Sequence, residues 1–467
     1  MSFLGVDLGT SFLKGAVLNV ASHKLEQVRR KPFPEPLSKG DPLRCEFDPN
    51  AILSAFRALI DELAPLAPDC EGIVLCTQMH GLVLMNERRH AVSNCLTWRD
   101  QRAMTQHPSG SGSYFDAILK QTTPRELRQL GNELEPARPL CFLFWYKEQG
   151  TLVPGSTPAS LADFVISAIS GDAPGVDATN ASAYGAFNLE TSDWHHGLIS
   201  KLGLGHLEWP RIRKQGEVAG YLRVGPRLVP CYAPVGDAQA ALVGSLLSSE
   251  ELSLNIATGA QVSRLTDQLG LGGYQTRPYF DGQFLNTFSY PPAGSALNAL
   301  IGLLTELARE QRVTLVDPWQ HIIAAVDKVT DTDLAVDLNF CPSPAGGCGK
   351  IDKIRSENLR IGHLFRAAFR GMADSYYGCA LRLCPQKNWN NLVLSGGLAC
   401  KIQALRDEIQ KRFATDYRLT PQSEDTLFGL LILASVFSGR TSSVKQLSNE
   451  LRASLKHTGR PDPGTQG

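Results

Sequence analysis

A short turn near the amino terminus carries residue types that bind phosphate. Residues 7–11 read Asp-Leu-Gly-Thr-Ser and follow an apolar run. At such a turn the backbone N–H groups and the hydroxyls of Thr10 and Ser11 converge, which suits the oxygens of a phosphate group. Asp7 is placed to hold a magnesium-bound water, because Mg²⁺ combines one or two carboxylates with water and phosphate. Taken alone, the segment is equally compatible with an ordinary tight turn.

A second set of polar residues follows the buried strand predicted for residues 72–77. Residues 78–81 read Gln-Met-His-Gly, so two hydrogen-bonding side chains stand beside a glycine that permits close approach, as in sites that recognise hydroxyls. Residues 98–100 (Trp-Arg-Asp) add a flat apolar ring next to a carboxylate. Taken alone, His80 is more simply explained as a core or loop histidine. These segments supply the candidate substrate contacts Gln78, Met79, His80, Trp98 and Asp100.

Asp237 is the candidate catalytic base. It follows Gly236 in residues 234–241 (Pro-Val-Gly-Asp-Ala-Gln-Ala-Ala), where the pattern predicts a change from strand to helix. A carboxylate beside a glycine lets a substrate come close and accepts the proton of an attacking hydroxyl. By itself, the position is more simply explained as a helix N-cap.

A glycine pair offers a further binding turn. Residues 395–397 (Ser-Gly-Gly) end a predicted strand and precede a helix, so that Gly396 and Gly397 allow a nucleotide base or ribose to approach the backbone. A glycine-led turn without a ligand is the alternative. The Gly349-Lys350 pair lacks the spacing of a Walker phosphate loop, and no Gly-x-Gly-x-x-Gly follows a strand. A dinucleotide site is therefore not supported.

These residues need a scaffold that brings distant segments together. Strands are predicted at residues 3–9, 13–20, 25–31 and 72–77, with an amphipathic helix that begins after Asp48. A second strand-rich block starts near residue 229 and contains a hairpin predicted over residues 252–265. Helices are expected at residues 297–307 and 361–372. Residues 6–11 resemble residues 255–260, which indicates a duplicated architecture.

Composition limits the classes of protein. The chain has 467 residues, enough for two domains, and 46 basic residues balance 46 acidic ones. Bulk charge therefore predicts no nucleic-acid partner. The 11 cysteines form no Cys-x-x-Cys pair, which disfavours a zinc site or a disulfide framework. We expect a cytoplasmic protein without a membrane partner, because the start does not resemble a signal peptide and no apolar run approaches ~20 residues.

The order of these motifs resembles the FGGY carbohydrate kinases, from residue 3 to about residue 439. The resemblance implies an α/β fold of two actin-like (ribonuclease H-like, duplicated) domains, with ATP, Mg²⁺ and a small sugar in the cleft between them. We predict a sugar-binding domain at residues 1–243, a nucleotide-binding domain at residues 244–440 and a partly disordered tail at residues 441–467. We expect a monomer or a homodimer.

The resemblance also implies a role for each matched position. It makes Asp237 the catalytic base, Asp7 and Thr10 the metal and phosphate hairpin, and residues 78–80 with Asp100 the sugar contacts. The remaining assignments are Gly9 and Ser11 in the first phosphate turn, Thr258 and Gly259 in the second, Gly396 and Gly397 in the adenosine turn, and Glu424 and Gly429 in the last helix.

Two segments bear on the acceptor sugar. Residues 97–102 and 255–261 are more similar to family members that phosphorylate sedoheptulose than to those that phosphorylate xylulose, and Arg102 and Gln261 are candidates to bind the additional hydroxyls. Xylulose, or another pentulose or polyol, is the alternative. The family's Gly-Glu-Arg element is replaced at residues 344–349, and residues 297–300 lack an expected glycine pair. A non-catalytic sugar- or nucleotide-binding regulator and an actin-like nucleotide switch or chaperone therefore stay open.

Overall fold

The computed structural model describes residues 1–37, 40–110, 112–340 and 347–457. The strands of the first half are β1 (Ser2–Leu8), β2 (Phe12–Asn19), β3 (Lys24–Pro32), β4 (Glu46–Phe47), β5 (Cys70–Thr77), β6 (Val83–Met85), β7 (Cys95–Leu96), β8 (Thr157–Ala159), β9 (Gly175–Asp177), β10 (Phe187–Asn188), β11 (Asp193–Trp194), β12 (Arg211–Arg213), β13 (Val218–Val224), β14 (Arg227–Tyr232) and β15 (Val235–Gly236). Its helices are α1 (Pro49–Leu63), α2 (Tyr114–Gln121), α3 (Pro124–Gln129), α4 (Pro139–Glu148), α5 (Leu161–Ser170), α6 (Ala178–Ala181), α7 (His196–Lys201) and α8 (Asp237–Gly244).

The second half has fewer strands and longer helices. Its strands are β16 (Glu251–Ile256), β17 (Ala260–Thr266), β18 (Gln275–Pro278), β19 (Phe284–Ser289), β20 (Ala335–Asp337), β21 (Lys350–Asp352), β22 (Asn391–Ser395) and β23 (Tyr417–Leu419). Its helices are α9 (Gly294–Glu310), α10 (Pro318–Val326), α11 (Ile361–Leu383), α12 (Gly397–Lys401), α13 (Gln403–Phe413), α14 (Asp425–Phe437) and α15 (Val444–His457).

The first half is built on a sheet in the order β13-β14-β5-β1-β2-β3, with β15 paired to β5. All seven residues of β1 are buried, as expected for a central strand covered on both faces. Helix α1 covers one face and begins as predicted, because Asp48 accepts a hydrogen bond from the Asn50 N–H and Pro49 occupies the first helical turn. A second apolar cluster, centred on α4, fills the insertion between β7 and β12.

The second half repeats this arrangement, with strand order β18-β19-β17-β16-β22-β23. In each half, an antiparallel hairpin (β1–β2 or β16–β17) is followed in space by two parallel strands (β5 and β14, or β22 and β23). The predicted α/β class and the predicted duplication are confirmed.

The register of the repeat differs from the sequence match. Asp7 pairs with Cys76 across β1 and β5, and Asn255 pairs with Ser395 across β16 and β22. The last hairpin pairs are Leu8 with Leu13 and Ile256 with Ala260. Asp7 therefore corresponds to Asn255, one position away from the match in sequence. The two turns differ in length by one residue, so the small residues of the two turns stand at different positions relative to the last strand pair.

Helices α8 and α14 pack together at two glycines. A Cβ on Gly244 would lie 1.9 Å from the Asp425 carbonyl oxygen, and one on Gly429 would lie 1.9 Å from that of Ala240. Only glycine permits this approach.

The last segment contains more order than the predicted tail. Asp281 accepts hydrogen bonds from the first N–H groups of α15, whereas residues 458–467 lie outside the described residues. In the part of the chain that the structure describes, no helix has the length and apolarity to cross a membrane.

Candidate active site

Three parallel strand ends bring the predicted motifs together. Leu8 at the end of β1 pairs with Thr77 at the end of β5, and Thr77 pairs with Gly236 of β15. The residues that follow each strand therefore share one edge of the sheet. This edge presents the turn at residues 9–11, the segment 78–80 and Asp237.

Hydrogen bonds connect the first turn with two predicted sugar contacts. The Trp98 indole N–H donates to Thr10 Oγ1 at 3.0 Å, and the Gln78 amide donates to the Gly9 carbonyl at 3.2 Å. Thr10 Oγ1 also lies 3.4 Å from Gln78 Oε1. Trp98 remains 46% exposed, so its ring is accessible at the edge of the site. The structure thus places the first turn and Trp98 side by side.

Three carboxylic acids at this edge have raised pKa values. Burial raises the pKa of Asp237 to about 7, and the charge of Asp7 adds to this shift. Burial likewise raises the pKa of Asp7, and it raises that of Asp425, the first residue of α14, to about 6. Thr426 donates to Asp7 Oδ2 at 2.9 Å. The arrangement concentrates acids whose pKa values are raised above the ordinary value for aspartate, as catalytic sites do.

The surroundings of Asp7 fit a magnesium ion bound largely through phosphate and water. Asp7 Oδ1 is buried and has no hydrogen-bond partner among the described residues. No cluster of three or more His, Cys, Asp or Glu side chains within the described ranges forms a complete metal site. A carboxylate with a spare oxygen suits Mg²⁺, which keeps several waters and takes one or two carboxylates.

Asp237 is held by residues that the sequence analysis did not select. It begins α8, whereas Gly236 is the N-cap, so the simple N-cap explanation does not describe the geometry. The Gly236 N–H donates to Thr179 Oγ1 at 2.9 Å, and Thr179 Oγ1 donates to the buried Asp177 at 2.5 Å. Asn180 donates to the Pro234 carbonyl. The Asp-Ala-Thr-Asn pattern at residues 177–180 is a helix-cap signal that indicates a fixed turn.

His80 lies in a buried polar network. Its φ of 69° is unusual for a residue other than glycine. Burial and the neighbouring Arg138 lower the pKa of His80 to about 3, so the ring is neutral. Its Nε2 lies 3.8 Å from Glu133 Oε2 and has no hydrogen-bond partner in the described structure. A neutral ring with an unused nitrogen suits a hydroxyl ligand.

Asp100 and Arg102 occupy positions that differ from the prediction. Asp100 is fully buried, and its carboxylate accepts hydrogen bonds from Arg102 and from the Cys45 N–H. Arg102 also pairs with Glu46 and is 1% exposed. Because both side chains are enclosed and paired with each other, they support the Trp98 segment and do not face the cleft. The expectation that they contact the sugar directly does not fit this arrangement.

The second turn is more open. Residues 257–259 are exposed, and the N–H groups of Gly294 and Ser295 at the start of α9 donate to the carbonyls of Ala257 and Thr258. The 395–397 turn lies next to it, since Gly396, with φ of 87°, approaches the Ile256 carbonyl closely enough to exclude a Cβ. Thr258, Gly259, Gly396 and Gly397 therefore share the edge of the second sheet.

The sequence departs from the family pattern at residues 297–300 and at residues 344–349. Residues 297–300 lie in the first turns of α9, which begins with Gly294. Of residues 344–349, the first three lie outside the described residues.

Comparisons with known proteins identify the family and relatives of similar length. Residues 2–244 match the model of the FGGY family of carbohydrate kinases, N-terminal domain. The chain is 23% identical to sedoheptulokinase from Mus musculus over 460 residues, covering 88% of this chain and 92% of the relative. It is 20% identical to gluconokinase from Bacillus licheniformis over 494 residues, covering 97% and 91%. Gluconate kinase from Lactobacillus acidophilus superimposes with a TM-score of 0.83 at 18% identity, covering 96% and 92% of the two chains.

Proposed function

The chain belongs to the FGGY family of carbohydrate kinases, and we propose that it transfers the γ-phosphate of ATP to a terminal hydroxyl of sedoheptulose. Its two-domain actin-like fold and its class as a sugar kinase follow from the family and from the solved relatives. The observation that carries the proposal is the convergence of Asp237, the first turn and the segment 78–80 at one sheet edge. We place the reaction in the cytoplasm.

Asp237 has the proton affinity that the reaction needs. A pKa of about 7 keeps a substantial fraction ionised at neutral pH and also makes the carboxylate a competent base. It accepts the proton of the acceptor hydroxyl as that oxygen attacks the γ-phosphorus in line. Phosphoryl transfer depends mainly on position and charge stabilisation, so a fixed carboxylate on the first turn of α8 is sufficient.

The two turns divide the nucleotide between them. Thr10 and Ser11 offer backbone N–H groups and hydroxyls to the transferred phosphate, while the Gly9 N–H closes the turn by donating to the Phe12 carbonyl. Thr258 and Gly259 offer theirs to the rest of the phosphate chain. Gly396 and Gly397 leave room for the adenosine. Asp7 would hold Mg²⁺ through water, and the ion, when bound, neutralises charge on the β- and γ-phosphates.

Sedoheptulose is favoured by residues 97–102 and by the full-length similarity to sedoheptulokinases. Trp98 supplies an exposed ring beside the first turn, and His80 supplies an unused nitrogen. Since Arg102 is enclosed, Gln261 on β17 is the remaining candidate for the additional hydroxyls. Xylulose and gluconate are the competing acceptors, because xylulose kinases and gluconokinases are also among the relatives.

Kinetics with a panel of acceptors tests the proposal. We expect kcat/KM for sedoheptulose to exceed that for xylulose, ribulose, ribitol and gluconate, because a lost hydroxyl contact costs about 1–3 kcal/mol. Preference for xylulose or gluconate would contradict sedoheptulose as the acceptor but would support the kinase activity. ATP hydrolysis that no sugar stimulates would favour an actin-like nucleotide switch. Binding without turnover would favour a regulator.

A further inference from the structure

A buried ion pair joins the acceptor side of the site to the second sheet. Glu133, between α3 and α4, is fully buried, and Arg277 on β18 is 3% exposed. Arg277 Nε lies 2.6 Å from Glu133 Oε1, and its Nη2 lies 3.3 Å from Oε2. The pair therefore has bidentate geometry, which fixes both side chains.

This ion pair contacts two of the predicted sugar contacts. Arg277 Nη1 lies 4.0 Å from Met79 Sδ, and Glu133 Oε2 lies 3.8 Å from His80 Nε2. Glu133 and Arg277 are 144 positions apart in sequence. Sequence motifs selected neither Arg277 nor Glu133, because the two residues meet only when β18 packs against the loop at residues 130–135.

We propose that Arg277 is a positioning residue of the acceptor site, contributed by the second sheet, which holds Glu133 against His80 and fixes Met79. This inference rests on the proposed kinase function and extends it, because it assigns the shape of the acceptor pocket to a residue outside the sugar-binding half. Arg277 acts through its neighbours and is not assigned a contact with the reacting atoms.

The charges around His80 support this role. Burial opposes ionisation of Glu133, but Arg277, His80 and Arg138 outweigh it and lower the pKa of Glu133 to about 2. Arg138 Nη2 approaches Glu133 Oε2 at 3.5 Å, and its Nε donates to the Glu133 carbonyl at 2.8 Å. Glu133 is therefore a permanent anion between two arginines. Removing one arginine leaves an incompletely compensated buried charge, which must move or take up a proton.

The same loop is held by the second sheet at further points. Asn132 donates to the carbonyls of Gly272 and Tyr274 at 2.8 and 2.7 Å. Tyr290 donates its hydroxyl to Glu135 at 2.6 Å, and the Gln275 amide donates to Glu135 at 3.2 Å. Loss of Arg277 therefore leaves the loop attached. Its effects are a changed orientation of Glu133, His80 and Met79 and the loss of a positive charge that lowers the pKa of Asp237.

The test compares Arg277→Met and Arg277→Lys with the wild-type protein on its best acceptor. We expect Arg277→Met to lower kcat/KM for the sugar about 100-fold, since small displacements in a site have effects of that order. The KM for ATP should change less than threefold. Arg277→Lys should recover about tenfold of the loss, because it restores the charge without the bidentate contact.

Two further variants separate positioning from folding. The double variant Glu133→Gln/Arg277→Met removes both charges and should restore the melting temperature without restoring sugar affinity, measured by calorimetry in the absence of nucleotide. Arg213→Met removes another buried arginine, 7% exposed, that pairs with Glu217 and, in the described structure, contacts none of the predicted sugar contacts, and should leave both KM values unchanged. Unchanged sugar kinetics in Arg277→Met, or equal losses of sugar and ATP affinity, would overturn the inference. A different preferred acceptor would revise the proposed substrate and leave this comparison intact.

Discussion

The turn after β1 and the turn after β16 occupy equivalent places in the two halves but have different chemistry. Each connects an antiparallel hairpin whose first strand also pairs with a parallel strand. At the equivalent position, the first half has Asp7 and the second has Asn255. The first turn adjoins three acids with raised pKa values, of which Asp7 is buried and Asp237 and Asp425 are partly exposed, whereas the second has exposed residues at positions 257–259.

Under the proposed function, this difference assigns separate parts of the reaction to the two halves of the duplicated fold. Buried carboxylates with raised pKa values accept protons and attract a cation, so they belong where bonds change. An amide and exposed backbone groups bind phosphate without adding negative charge. The comparison predicts that the first turn controls turnover and that the second controls nucleotide affinity.

Removing the proposed base should have the largest effect. Asp237→Asn is expected to lower kcat about 10²–10⁴-fold, because general-base catalysis contributes about that much. Sugar affinity without nucleotide should change little, since the amide has nearly the same shape. Steady-state kinetics and calorimetry separate the two quantities. Near wild-type turnover would remove Asp237 from its assigned role.

Making the first turn resemble the second should have the next largest effect. Asp7→Asn is expected to lower kcat about 100-fold, a magnitude typical for loss of one electrostatic contact to a transition state. It should also raise the Mg²⁺ concentration needed for half-maximal activity. Asn255→Asp makes the opposite exchange in the second turn and should lower kcat less than tenfold. Equal effects of the two exchanges would contradict the division between the turns.

The buried acids also make the stability of the protein depend on pH. The pKa of Asp237 is higher in the folded protein than its ordinary value, so folding favours the protonated acid. Its contribution to stability is present below about pH 4 and is lost as the pH rises through 7. Asp237→Asn should therefore raise the free energy of unfolding by about 2 kcal/mol at pH 8 and by much less at pH 4.

Asp163 provides the control for this prediction. Burial raises its pKa to about 7 as well, but it lies in the first turn of α5, where it is hydrogen-bonded to Ser160, and it has no assigned contact with substrate or nucleotide. Asp163→Asn should give the same direction of pH dependence without loss of activity. Thermal unfolding from pH 4 to pH 8 measures both variants. If Asp237→Asn were more stable than wild type at pH 4 but not at pH 8, the predicted sign would be wrong.

Removing single hydroxyl groups should give the smallest effects and should distinguish nucleotide binding from sugar binding at each turn. Thr258→Val is expected to weaken ATP binding about 5–10-fold, since one hydrogen bond contributes ~1 kcal/mol. Thr10→Val should weaken both ATP and sugar binding, because Thr10 Oγ1 also accepts from Trp98. Thr266→Val, at the far end of the second hairpin, should change neither affinity. Titration with sugar alone and then with a nucleotide analogue resolves the three results.

The sequence predicted local elements well because their signals are local. The hairpin strands of both halves, the Asp48 cap and the helices near residues 297 and 361 occur in the structure, although α11 extends to Leu383. Periodicity and capping depend on residues within a few positions of each other. The exact register of the repeat was missed, because it depends on turn length and on pairing between strands.

The site was predicted in part. Motifs identified Asp7, Asp237 and the segment 78–80, whose convergence follows from the parallel pairing of β1, β5 and β15. Burial decided the cases that motifs left open, since an Asp two positions after a Trp carries no local signal that it faces inward. Asp100 illustrates this: its partners, Arg102 and the Cys45 N–H, enclose it completely.

The sequence by itself determined the α/β class, the duplication, the motif order of a sugar kinase and the residue types needed for phosphoryl transfer. Only the tertiary structure decided which carboxylates lie together with raised pKa values, which side of the site Arg277 completes, and how Thr179 holds Gly236 in place. The reason is physical. Hydrogen-bonding capacity and charge belong to each residue, but pKa values and orientation depend on neighbours that are distant in sequence, 57 positions for Thr179 and Gly236 and 144 for Glu133 and Arg277.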